Sequence, residues 1–144
     1  MLSDDLLQWG PSLKTGINEI DEQHQILVEM INEANVKLRE TVEKDHVERM
    51  MRDLMNYALY HFDTEEELMV GNDYFGMRPD EAEKHSLEHR NFSDTVANLH
   101  HDLKKGTPVH REDLMIFLNN WLVNHIQNTD MRLADFIKQN SARQ

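Results

Sequence analysis

Apolar residues recur along this chain at steps of three and four, and four stretches carry the rhythm. The first runs through Ile20, Leu27, Ile31, Ala34 and Leu38, and the second through Val47, Met50, Leu54, Ala58 and Leu68. The third holds Ala82, Phe92, Val96, Leu99 and Leu103, and the fourth Leu114, Leu118 and Trp121. Such steps bring side chains to one face of a helix. The spacing predicts helices over 18–40, 46–70, 79–104 and 108–138. The residues between the apolar positions are mostly strong helix formers, while glycine and proline gather at the breaks. Gly71, Gly76 and Pro79 bracket the second connection, and Gly106 and Pro108 mark the third. Asn18 is the expected N-cap of the first helix, and Asp45 with Glu48 has the spacing of a capping box for the second. Thr107 is the expected cap of the fourth, with Pro108 at its first position. Short connections favour antiparallel neighbours. The expected fold is all-α: an antiparallel up-down-up-down four-helix bundle over 18–138, preceded by an N-terminal arm (1–17) and followed by a frayed tail (139–144).

Polar residues break into these apolar seams. His24 falls in the first, His61 and Glu65 in the second, His85 and His89 in the third and His125 in the fourth. The other histidines, His46, His100, His101 and His110, lie off the seams or near helix ends and read as solvated. A buried histidine or carboxylate without a partner costs several kcal/mol (roughly 2–7 for a neutral polar group). A metal centre would satisfy all of these groups together. His61 and Glu65 are four apart, as are His85 and His89, so each pair projects from one helix face. Asp130 is the exception, because it follows His125 by five residues. In a regular helix that step diverges by roughly 140°. The seam resumes at Asp130, Leu133 and Ile137 as if one residue were inserted, and this predicts a π-bulge between His125 and Asp130.

Composition narrows the chemistry. The chain contains no cysteine, so any metal is held by nitrogen and oxygen. Seven such groups exceed the needs of one metal. Two six-coordinate metals bridged by two carboxylates and a solvent-derived oxygen would use the five histidines as terminal ligands and leave one position open. Mixed nitrogen and oxygen ligation suits iron or manganese, with zinc and copper still open on affinity. A net charge of −12 argues against a nucleic-acid-binding face. No apolar stretch approaches the ~20 residues needed to cross a bilayer, so no membrane insertion is expected. Residues 1–16 carry two early aspartates and no apolar run behind a basic start, unlike a signal peptide. A cytoplasmic location follows as an expectation.

The residues as a set resemble the hemerythrin family, in particular its single-domain bacterial members. The likeness rests on Trp9, on Thr15-Gly16-Ile17 followed by Ile20-Asp21-Glu22-Gln23-His24, and on the run from His61 to Met69. It continues through His85-Ser86-Leu87-Glu88-His89, Trp121 to Ile126, and Asp130. One departure is Phe75, which follows Tyr74 where many relatives carry proline. The resemblance implies two non-haem iron ions with an oxo or hydroxo bridge. His85, His89 and His125 would hold one iron, His24 and His61 the other, and Glu65 and Asp130 would bridge them. Dioxygen would bind at the open position of the iron held by His24 and His61, with Phe62 and Leu122 in the apolar wall around it. The implied role is O2 transport, storage or delivery by a non-enzymatic protein. An O2 or redox sensor acting through a protein partner is the alternative. A di-iron oxidase or peroxidase fits less well, because such bundles supply four carboxylates and two Glu-x-x-His pairs. This chain has that spacing only at Glu43 and His46, away from the seam.

Overall fold

A computed structural model describes residues 7–40, 43–107 and 110–142. A 3-10 turn, Pro11–Leu13, precedes α1 (Asn18–Glu40) and α2 (Lys44–Gly71). A single helical turn, α3 (Tyr74–Met77), leads into α4 (Pro79–Lys104). α5 (Arg111–Asn124) passes through a π-helical segment, His125–Asp130, into α6 (Met131–Ala142). α1 packs on α2, α2 on α4, α4 on the π segment and α1 on α5. With short connections between consecutive helices, this closes the antiparallel four-helix bundle that the periodicity predicts. The last helix reaches Ala142, beyond the expected end at 138. Among the described residues no helix is long and apolar enough to cross a membrane.

The core divides into two apolar clusters. The larger holds Leu27, Ile31, Leu54, Phe62, Phe92, Val96, Leu118, Leu122 and Ile126 among others. The smaller holds Met69, Tyr74, Ala82, Leu133, Phe136 and Ile137. On α2, α4 and the last helix, the predicted polar residues fall between the two. The seams drift as a 3.6-residue helix must. Asn35, Met51 and Met69 are therefore buried, while their neighbours Ala34, Met50 and Leu68 are only half-buried.

The helix ends differ from the expected caps. Asn18 is itself the first residue of α1. The carboxylate of Asp21 reaches back instead, accepting from the backbone N–H of Thr15 (2.7 Å) and of Gly16 (3.0 Å) and from the Thr15 hydroxyl (2.8 Å). α2 starts at Lys44, so Asp45 lies within its first turn and no capping box forms there. Glu48 turns across to α4, where it lies 3.4 Å from His100 and 3.8 Å from Lys104. Of the off-seam histidines, His46, His101 and His110 are exposed, whereas His100 is half-buried through this contact. Thr107 does not cap the fourth helix, which starts at Arg111; Pro108 lies outside the described residues. Thr107 closes the end of α4: its N–H donates to Asp102 O at 2.9 Å, and that of Gly106 to Leu103 O at 3.1 Å. This is a Schellman closure, and Gly106 takes the left-handed conformation it requires, at φ +97°. Gly106→Ala is expected to lower stability by roughly 1 kcal/mol. Gly71→Ala, where an added methyl meets nothing within 4 Å, serves as the control. Equal thermal unfolding midpoints for both variants would contradict this assignment.

The arm is tied down. Leu7 exchanges two hydrogen bonds with the Asn32 side chain, each 2.8 Å. Trp9 is partly buried against the larger apolar cluster. In the second connection, Tyr74 is buried and Phe75 half-exposed, so the residue that departs from the family pattern faces outward.

Candidate metal centre

All seven predicted residues converge at one level of the bundle. His24, His85, Glu65 and Asp130 are fully buried, and His61, His89 and His125 nearly so. α2 supplies His61 and Glu65 from one face, and α4 supplies His85 and His89. The π segment resolves the five-residue step on the last helix. The N–H of Met131 reaches the carbonyl of Ile126, five back rather than four. The Asn128 side-chain amide donates to Asn124 O at 3.0 Å, an acceptor four back that an α-helical N–H would use. The wider turn brings Asp130 onto the same side as His125, whose Nε2 lies 3.0 Å from Asp130 Oδ1.

The donor atoms form two groups. Glu65, His85, His89, His125 and Asp130 make one; His24, His61, Glu65 and Asp130 make the other. Within each group, the possible ligand atoms lie within 4.8 Å of one another. Both carboxylates belong to both groups. Glu65 Oε1 is 3.0 Å from His89 Nε2, 3.4 Å from His61 Nε2 and 3.5 Å from His85 Nε2. Asp130 Oδ1 is 3.1 Å from His85 Nε2, and its Oδ2 is 2.8 Å from His24 Nε2.

Close as these atoms are, many do not hydrogen-bond. Nε2 of His24, His61 and His85, Oε2 of Glu65 and both oxygens of Asp130 are buried without a hydrogen-bond partner. His89 and His125 bring their Nε2 atoms within 3.1 Å of each other. Lone pairs aimed at common points rather than at donors are what metal ligands require. Five imidazoles and two carboxylates, with no thiolate, form a donor set that fits iron.

The carboxylates and imidazoles of the cluster also shift one another's charge. Burial opposes the charged form of Glu65, but the surrounding imidazoles of His61, His125, His85 and His89 outweigh it and hold the carboxyl well below its usual range. Burial and Glu65 likewise oppose the charge on Asp130, and His125 and His24 prevail. Burial disfavours imidazolium at His85, yet Asp130 and Glu65 raise it to about 9. His125 is raised well above its ordinary value against the same burial, chiefly by Asp130. Burial dominates at His61, which falls to about 4. At neutral pH the two carboxylates therefore face imidazolium at His85 and His125.

A further ring of residues orients the histidines, and sequence periodicity did not single these out. His61 Nδ1 lies 2.7 Å from Gln23 Oε1, and Gln23 Nε2 donates to Thr64 Oγ1 at 3.1 Å. His125 Nδ1 lies 2.8 Å from Glu88 Oε1, which also accepts from Thr129 Oγ1 at 2.7 Å. His89 Nδ1 lies 3.3 Å from Glu66 Oε2. On the apolar side, Phe62 stacks on His89 with ring centroids 4.0 Å apart, and Trp121 stacks on His125 at 4.4 Å. Leu122 is buried in the same apolar cluster as Phe62.

Known proteins share this pattern. The family model of the hemerythrin HHE cation binding domain matches residues 15–137. A bacteriohemerythrin of Stenotrophomonas maltophilia is 31% identical over 133 residues, covering 92% of this chain and 82% of its own length. That of Pseudomonas aeruginosa is 33% identical over 132 residues, with the same two shares of 92% and 82%. A crystal structure of wild-type hemerythrin superposes with a TM-score of 0.81 at 24% identity, covering 92% of this chain and 98% of that one, a likeness of fold. With the family model matched over most of its length and relatives above 30% identity, the chain belongs to the hemerythrin family of cation-binding domains.

Proposed function

We propose that the chain binds dioxygen reversibly at a pair of non-haem iron ions, for transport, storage or delivery of O2. The observation that carries this reading is the sharing of Glu65 and Asp130 between a three-histidine and a two-histidine donor group. His85, His89 and His125 would hold one iron and His24 and His61 the other, with Glu65 and Asp130 shared between the two groups. The two-histidine group offers one protein donor fewer, so O2 would bind on that side. When bound, the iron pair would supply the two electrons on which reversible O2 binding draws.

The chain's own residues set the conditions for release. Phe62 and Leu122 exclude water from the vacancy, and a dry, apolar wall keeps a bound small molecule from being lost by side reactions. Phe62 also fixes the plane of His89 through their stacked rings. Five imidazoles against two carboxylates favour a binding protein over an oxidase, because oxidative di-iron bundles use four carboxylates.

Anaerobic loading with Fe(II), followed by air and then degassing, tests the reading by optical absorption. The expected result is a visible band that appears in air and fades on degassing through repeated cycles. Irreversible oxidation on first contact with air, or catalytic consumption of a reductant, would overturn it.

A further inference from the structure

The five histidines are not held alike: a carboxylate stands behind two of the three in one donor group and behind neither of the two in the other. In the three-histidine group, His125 and His89 each have a carboxylate behind them: Glu88 at 2.8 Å and Glu66 at 3.3 Å from their Nδ1 atoms. In the two-histidine group, His61 has a neutral carboxamide behind it, Gln23 at 2.7 Å. Among the described residues Nδ1 of His24 has no hydrogen-bond partner, and neither has that of His85 in the three-histidine group.

The orientation of the Gln23 amide follows from its surroundings. Thr64 Oγ1 donates its single proton to Tyr60 O at 3.2 Å. It can therefore only accept from Gln23, which fixes the NH2 end of the amide toward Thr64 and the carbonyl end toward His61. A carbonyl can only accept, so His61 carries its proton on Nδ1 and turns the lone pair of Nε2 inward. The relay Tyr60–Thr64–Gln23 thus selects the one tautomer of His61 that can ligate through Nε2. An amide behind an imidazole fixes its orientation but adds less basicity than a carboxylate does.

We propose that Gln23 is the positioning residue of the two-histidine subsite: its side-chain carbonyl fixes the Nδ1–H tautomer of His61, and its neutrality makes this subsite hold its metal less tightly than the carboxylate-backed one. This rests on the two-iron reading above and deepens it. The iron meant to take and release a ligand is the one given fewer and less basic donors, while the other is anchored.

The test is anaerobic release of Fe(II) from the loaded full chain to a chromogenic chelator in excess. The wild type releases iron in two phases of equal amplitude, and the fast one belongs to the two-histidine subsite. Gln23→Leu speeds the fast phase by about 10–100-fold, the range seen on loss of such a partner. Gln23→Glu slows it by about tenfold, because a carboxylate then backs His61. Both variants leave the slow phase unchanged. Thr64→Val releases the amide from its anchor with Gln23 and His61 intact, and speeds the fast phase by a smaller factor; it carries the test if a carboxylate at position 23 prevents folding. Opposite shifts for Leu and Glu distinguish tuning from disturbed packing, which would speed release in both. The inference is overturned if both variants speed release, if the slow phase moves with the fast one, or if neither phase responds. In each of those cases a wild type that still binds two irons leaves the two-iron reading standing. A wild type that binds a single iron overturns both.

Discussion

Glu65→Ala strips both metals from the centre, whereas His61→Ala leaves one in place. The expectation follows from where the Glu65 carboxylate sits. Its Oε1 lies 3.0, 3.4, 3.5 and 3.7 Å from Nε2 of His89, His61, His85 and His125, and its Oε2 lies 3.9 Å from that of His24. Among the described residues, only Asp130 shares with it membership of both donor groups. Losing a terminal histidine weakens one subsite, but losing a shared carboxylate removes a donor and a negative charge from each. After anaerobic loading and removal of free ion, metal analysis is expected to give two irons per chain for the wild type, one for His61→Ala and fewer than one for Glu65→Ala. The metal-free Glu65→Ala protein is also destabilised, by roughly 3–5 kcal/mol, because its buried imidazolium ions lose a counter-charge. Glu66→Ala is the matched control. It removes the next carboxylate in sequence, one that is half-exposed and meets the outer nitrogen of His89 and the Ser86 hydroxyl. It is expected to lower affinity without changing stoichiometry at saturating iron. Two irons retained by Glu65→Ala would overturn the bridging assignment.

The candidate centre was legible in the sequence because its candidate ligands occupy seam positions. His24, His61, Glu65, His85, His89 and His125 replace apolar residues without shifting the register, so periodicity finds them. Asp130 was legible through the register shift itself, and the π segment His125–Asp130 is the structural form of that one-residue insertion. The outer partners were not legible, for a geometric reason. Gln23, Glu66 and Glu88 each neighbour a ligand in sequence, yet each serves a histidine on a different helix: Gln23 on α1 meets His61, Glu66 on α2 meets His89, and Glu88 on α4 meets His125. Periodicity describes one helix at a time and is silent on such pairings. The caps failed differently. Asp45 and Glu48 have capping-box spacing, but Glu48 is drawn across the bundle to His100 and Lys104, a tertiary contact that local spacing does not register.

Iron loading is expected to raise the thermal midpoint by roughly 20 °C at neutral pH, and by more as the pH rises. A ligand that binds only the folded state at about a thousand times its Kd adds about 4.1 kcal/mol per site. Two sites double this, and a domain of this size gains about 2–4 °C per kcal/mol. The pH dependence belongs to the metal-free protein. His85, raised to about 9, stabilises the fold fully below its unfolded value of 6.5, and that contribution is lost as pH rises toward 9. His125 is raised in the same direction. His61, lowered to about 4, acts oppositely: the unfolded chain gains a proton there below 6.5 and the folded chain does not, so stability falls as pH drops from 6.5 toward 4. The metal-free protein is therefore most stable near pH 6.5 and weakens on both sides. In the loaded protein the metal takes the place of the protons on His85 and His125, so the alkaline decline disappears and the gap widens toward pH 9. Scanning calorimetry of loaded and chelated protein from pH 5 to 9 reads both curves. A metal-free midpoint that climbs steadily to pH 9 would contradict the pairing of His85 and His125 with the two carboxylates. Parallel curves for the two forms would show that the ion does not bind at these histidines.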